Sequence, residues 1–267
     1  YLIKIMRNKK IISIIPNMLT TVSLLFGLLS IFNVIKLLPL VDREFVGIEA
    51  HFLTEKSLWW SCIFLYISAF IDFIDGKIAR LLNNDSEFGA QYDSLSDLVC
   101  FGVAPGLLVY IVYLSSYNNL GIMCAVFYIV CVALRLSRFN TLSEDEKDNS
   151  FIGLPSPMAA GLLISIILID YKFALLSSSF AANMFLVSMP IVGLLMVSNI
   201  TFPKKTFLNS MKKFNALVIL SIISITLLTH IEIGSLILFY SYLFFTLGKM
   251  FVVRYKNDQS TSTKTSQ

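Results

Sequence analysis

Residues 57–80 read SLWWSCIFLYISAFIDFIDGKIAR, from Ser57 to Arg80. No charge interrupts the run until Asp72, and Asp75 follows one helical turn later. A helix needs about 20 mainly apolar residues to cross a hydrocarbon core. Within lipid, backbone groups must be satisfied by the segment itself, which leaves a helix or a closed barrel. Apolar residues without strict alternation favour the helix. The stretch therefore predicts a membrane-crossing helix with two carboxylates at one end. An acidic side chain at the centre of a membrane helix costs about 3 kcal/mol, so a retained one is a functional candidate by default.

Working outward, the same pattern repeats along the chain. Of the 267 residues, 56% are hydrophobic and 14% charged, and the mean hydropathy is +0.76. Soluble domains run at about 45–50% apolar and about 25% charged. The apolar residues fall in eight blocks, about 14–40, 57–74, 94–115, 119–137, 157–176, 180–200, 214–230 and 233–253. The expected fold class is an all-α integral membrane bundle of about eight transmembrane helices. The first block is too long for a signal h-region and no small-residue cleavage site follows it, so it is expected to remain as a span. All but four of the 21 Lys and Arg residues fall on one side when the spans alternate, the exceptions being Lys36, Arg43, Lys56 and Lys172. Basic residues collect on the cytoplasmic side, which predicts cytoplasmic termini and a multi-pass protein of the cell (inner) membrane.

Three regions follow: a basic interfacial segment at 1–13, a transmembrane domain at 14–256, and a polar tail at 257–267 expected to be disordered. The net charge of +4 fits contact with anionic lipid headgroups. No surface mixing basic and aromatic residues argues for nucleic acid. Cys62, Cys100, Cys124 and Cys131 lie in apolar blocks without metal-ligand spacing and read as small buried hydrophobes. The two histidines, His51 and His230, fall on the outer side, which leaves little for histidine-based catalysis.

The chemistry gathers where the second and third blocks meet. Asp72 and Asp75 are spaced i, i+3, and Asp93 and Asp97 i, i+4, so each pair shares one helix face. Two helices that each offer a carboxylate pair make a cage for hard divalent cations. Four anions so close need compensating charge, which two Mg2+ or Mn2+ ions supply. Gly76 and Gly89 leave room beside the acids, and Arg80 can offer a planar cationic fork to phosphate oxygens.

Asp72–Asp97, DFIDGKIARLLNNDSEFGAQYDSLSD, resembles the signature of the CDP-alcohol phosphotransferase family, D-x2-D-G-x2-A-R-x8-G-x3-D-x3-D. Asp72, Asp75, Gly76, Ala79, Arg80, Gly89, Asp93 and Asp97 fill every fixed position. The resemblance implies a six-helix core open to the cytoplasm, two metal ions and a homodimer. It implies that Asp72, Asp75 and Asp93 hold the metals and the CDP diphosphate. Asp97 would be the general base while also near the second metal. Pro16-Asn17-Met18-Leu19-Thr20 resembles the family's PNxLT start of the first helix, which implies nucleotide contacts for Asn17 and Thr20.

Further segments resemble the phosphatidylserine synthase branch. They are Phe101–Pro105 (FGVAP), Leu134–Asn140 (LRLSRFN), Phe151–Pro157 (FIGLPSP) and Leu195–Asn199 (LMVSN). Ser137 replaces the branch's usual alanine. The implied reaction joins the phosphatidyl group of CDP-diacylglycerol to the hydroxyl of L-serine and releases CMP. Serine carries a carboxylate, so its pocket needs a cation, and Arg135 or Arg138 can supply one. Asn140 is a further polar candidate. The same two arginines would equally suit glycerol-3-phosphate, and inositol is a third acceptor used by sibling enzymes. A divalent-cation transporter, the reading from another class, would place its acids near the bilayer midplane in repeated halves. No second half of this sequence repeats them.

Overall fold

The computed structural model describes residues 2–36, 48–81, 86–141, 150–173, 178–203 and 230–264. Eight α-helices account for most of them: α1 (Leu2–Ile35), α2 (Ile48–Leu81), α3 (Glu87–Asp97), α4 (Ala104–Val109), α5 (Asn119–Thr141), α6 (Ser156–Phe173), α7 (Ser178–Val197) and α8 (Ile231–Lys264). Helices α3 and α4 belong to one continuous span, Glu87–Tyr117. Among the described residues, six segments are long and apolar enough to cross a membrane: Ile15–Ile35, Lys56–Ala79, Glu87–Tyr117, Asn119–Thr141, Ser156–Phe173 and Ser179–Val197. The expected block 214–230 lies outside the described residues. The last expected block falls within α8, whose apolar part, Ile231–Thr246, is shorter than the six.

Two boundaries differ from the sequence reading, the first for a visible reason. The third span begins at Glu87 rather than near 94, because Ser86 caps it in extended conformation and its hydroxyl accepts from the Gly89 N–H at 3.0 Å. The acids of α3 hide this start from a hydropathy count. Helix α8 continues over residues 257–264, where the sequence predicts no regular structure. The all-helical expectation also gains a small exception, since β1 (Ser150–Ile152) and β2 (Thr201–Pro203) pair antiparallel.

Helix α1 lies along α2, α5 along α7, and α8 against α6. Small and hydroxylated residues let α1 and α2 approach closely. The Ser23 hydroxyl donates to the Ser68 carbonyl at 3.0 Å, and the Ser30 hydroxyl to the Ser61 carbonyl at 3.0 Å. Such contacts are the usual adhesive between membrane helices, where lipid removes the hydrophobic drive to associate. Helix α6 is buried at every residue from Ala159 to Leu168 and forms the centre of the bundle. On α5, Met123, Val126, Val130 and Leu134 are exposed, while Ala125, Tyr128, Val132 and Leu136 are buried. An apolar outer face of this kind suits acyl chains as solvent.

The third span is not uniform. Residues Leu98–Val103 and Tyr110–Leu114 are wound as π-helix. Pro105 has no N–H to give to the Phe101 carbonyl one turn back. The Tyr128 hydroxyl of α5 donates to that carbonyl instead, at 2.8 Å. The widened turn begins immediately after Asp97 and so sets the position of that carboxyl.

Candidate active site

The four aspartates come from the last turns of α2 and from α3. Carboxylate oxygens of Asp72, Asp75 and Asp93 lie within 4.8 Å of one another. Asp97, one turn beyond Asp93 on α3, lies next to Asp72. Two unit charges about 4 Å apart interact by about 4 kcal/mol at an effective dielectric near 20. Burial sharpens the need for positive charge, because Asp75 is only 3% exposed and Asp93 Oδ1 is buried with no hydrogen-bond partner. Clustered hard oxygens, partly dehydrated and with one orphaned acceptor, fit a divalent cation.

Around the acids, α1 supplies the nearest polar side chains. Thr20, 5% exposed, places its hydroxyl 3.0 Å from Asp75 Oδ2 and 3.1 Å from the Pro16 carbonyl. The Thr21 hydroxyl meets the Tyr92 hydroxyl of α3 at 2.9 Å. Gly89 sits where a side chain would collide, since a Cβ there would lie 2.8 Å from Ser86 Oγ and 3.1 Å from Asn17 Oδ1. Gly89 thus admits both the helix cap and the Asn17 amide at the start of α3. Gly76 and Ala79 are half-buried on α2, and Arg80 follows on the same helix.

The structure separates the two arginines that the sequence leaves equivalent. Arg135, 8% exposed, is buried within electrostatic reach of Asp97 and donates from Nη1 to Ser156 Oγ at 2.9 Å. Its Nε is buried with no partner. Arg138 turns toward the end of α7, where Nη1 donates to the Val197 carbonyl at 3.2 Å and Nη2 to Asn199 Oδ1 at 2.7 Å. A cation on the last carbonyls of a helix satisfies groups that the helix itself cannot. Asn140 forms a pair with Ser94, its Nδ2 2.9 Å from the Ser94 hydroxyl. It therefore joins the end of α5 to α3 beside Asp93.

The FIGLPSP and LMVSN segments meet as well. Gly153 has φ +80, and its N–H donates to the Ile200 carbonyl at 2.8 Å. A Cβ at Gly153 would lie 2.0 Å from the Met196 carbonyl oxygen. The Leu154 N–H donates to the Leu195 carbonyl at 3.0 Å, and the β1–β2 pair extends the contact. Together these bonds fix Ser156, and with it the Arg135 guanidinium. Sequence reasoning missed Ser156 and the Thr20–Asp75 contact. Only the adjacency of Ser156 to two prolines hinted at the first.

The profile of the CDP-alcohol phosphatidyltransferase family matches residues 13–200. The chain belongs to that family and is an integral-membrane enzyme of its type. A CDP-diacylglycerol–serine O-phosphatidyltransferase of Helicobacter pylori is 32% identical over 188 residues, covering 70% of this chain and 71% of the relative. The protein of the same name from Bacillus subtilis is 40% identical over 155 residues, 57% of this chain and 80% of its own. That from Methanocaldococcus jannaschii is 40% identical over 140 residues, 52% of this chain and 62% of its own.

Proposed function

We propose that the chain transfers the phosphatidyl group of CDP-diacylglycerol to the hydroxyl of L-serine, forming phosphatidylserine and CMP. The observation that carries this reading is the buried Arg135 guanidinium beside the four-aspartate cluster, with its Nε lacking a partner. A cation so placed suits the carboxylate of an amino-acid acceptor next to the metal-binding acids. The names of the relatives from Helicobacter pylori and Bacillus subtilis support the same acceptor.

Asp72, Asp75, Asp93 and Asp97 would hold two divalent cations, Mg2+ or Mn2+. Bound there, the cations neutralise charge on the diphosphate and ease departure of CMP. Asn17, Gly76, Ala79, Arg80 and Gly89 form the side that receives the CDP diphosphate. Arg135 orients the serine carboxylate, and Asn140 with Ser94 borders the same space. Asp97 accepts the serine hydroxyl proton as the new oxygen–phosphorus bond forms and the bond from that phosphorus to the CMP oxygen breaks. A free Asp near pKa 3.9 is a weak base for an alcohol, so proximity carries much of the effect. The displacement is direct and needs no covalent enzyme intermediate. Arg138 holds the end of α7 rather than touching serine.

The transferase domain spans residues 14–256 behind the interfacial segment 1–13, works as a homodimer among membrane lipids, and opens to the cytoplasm. Purified protein in detergent, given CDP-diacylglycerol and Mn2+ or Mg2+, tests the central statement with L-serine, glycerol-3-phosphate and inositol in turn. CMP release with serine alone, abolished by EDTA, is the expected result. Release with another acceptor would keep the aspartate chemistry and overturn the assignment of Arg135.

A further inference from the structure

Thr20 stands apart from the nucleotide role that its sequence context implies. Its hydroxyl is buried between α1 and α2 and reaches Asp75 Oδ2 at 3.0 Å. The second oxygen within reach, the Pro16 carbonyl at 3.1 Å, lies one turn back on the same helix, where the helix's own N–H can serve it. The Asp75 carboxyl accepts from the backbone N–H of its chain neighbour Gly76, and Thr20 is the side chain that reaches it from the facing helix. One further link holds Thr20 in register, since the Ser96 hydroxyl donates to the Thr20 carbonyl at 3.4 Å. One turn on, Ser23 meets Ser68 at 2.9 Å between hydroxyls, which fixes α1 against α2.

We infer that Thr20 is a positioning residue for the metal centre: its hydroxyl holds one oxygen of Asp75 so that the other is presented to a divalent cation. Carboxylates that bind metals are ordinarily held by such outer hydrogen bonds, and losing one costs about 10–100-fold in metal affinity or activity. Asp75 is buried and crowded by two other carboxylates, and the Gly76 N–H on its own helix is its other partner, so losing the Thr20 bond removes the tie to α1 that keeps its side chain turned to the shared centre. This inference rests on the metal-dependent chemistry proposed above, and it removes Thr20 from the surface that contacts the nucleotide.

The test is Mn2+ binding to the purified protein without lipid substrate, followed by the loss of the free-ion EPR signal. Thr20→Val keeps the shape and removes the hydroxyl, whereas Thr20→Ser restores the hydroxyl. Thr20→Ala repeats the comparison should valine prevent folding. The expected result is about 10–100-fold weaker Mn2+ binding for Val, affinity near that of the unaltered protein for Ser, and recovery of Val turnover as Mn2+ is raised. Unchanged Mn2+ affinity in Val or Ala would overturn the inference. A raised KM for CDP-diacylglycerol with unchanged Mn2+ affinity would do so too, and would return Thr20 to the nucleotide. Absence of CMP release with serine in the unaltered protein would count against the acceptor assignment and leave the Mn2+ comparison intact.

Discussion

At the scale of single residues, the site distinguishes groups of the same type by what surrounds them. Asp97 is within electrostatic reach of Asp72 and Arg135, whereas Asp75 is held by Thr20. Asp97→Asn is therefore expected to retain CDP-diacylglycerol binding and to lose about 10²–10⁴-fold in turnover, the usual contribution of a general base. Nucleotide binding and CMP release measured on one preparation check this, and normal turnover would remove Asp97 from its role. The two arginines should part company in the same way. Arg135→Gln is expected to raise KM for serine at least about tenfold, in line with the loss of about 1.5–3 kcal/mol for a hydrogen bond to a charged group, with KM for CDP-diacylglycerol little altered. Arg138→Gln should instead lower the thermal midpoint, because it frees the Val197 carbonyl and Asn199.

Among elements, the bent third span and the α6–α7 junction matter most. The Phe101 carbonyl has no α-helical donor at Pro105 and accepts from the buried Tyr128 hydroxyl. Tyr128→Phe should cost about 1–3 kcal/mol, the penalty for a buried unpaired polar group. Because the π-turn begins after Asp97, kcat should fall along with the melting temperature. Gly153→Ala meets two obstacles, a φ of +80 and the Met196 carbonyl at 2.0 Å from the new Cβ. The conformational part alone costs about 1–2 kcal/mol. Thermal unfolding in detergent reads both variants, and stability equal to the parent chain would show that neither bond matters as argued.

For the whole molecule, membrane orientation is the open quantity with a direct measurement. Lys77, on α2 beside the acids, and Lys172, at the far end of α6, are both exposed and should lie on opposite faces. Single cysteines at these positions, labelled with an impermeant maleimide in intact cells, should react only at 172. Labelling at 77 should require permeabilised membranes. Cys62, Cys100 and Cys131 are buried, and the half-buried Cys124 is replaced by Ala in the parent protein to lower the background. Reaction at 77 in intact cells would invert the proposed topology. Lys172 also pairs with Glu232 at 3.4 Å, which ties α6 to α8.

The sequence by itself determined the membrane environment, the helical class and the four aspartates. Apolar block length and carboxylate spacing are local properties, and a helix converts spacing directly into a shared face. It also carried the family, because the glycine, arginine and acid positions lie within one short stretch. Which arginine is buried near Asp97 was decided only by the tertiary structure, because packing brings Ser156 to Arg135 and the end of α7 to Arg138. The same holds for the Thr20–Asp75 and Tyr128–Phe101 bonds, which join residues far apart in the chain. Their partners are chosen by helix packing, and packing depends on the shapes of whole faces rather than on any one segment's pattern.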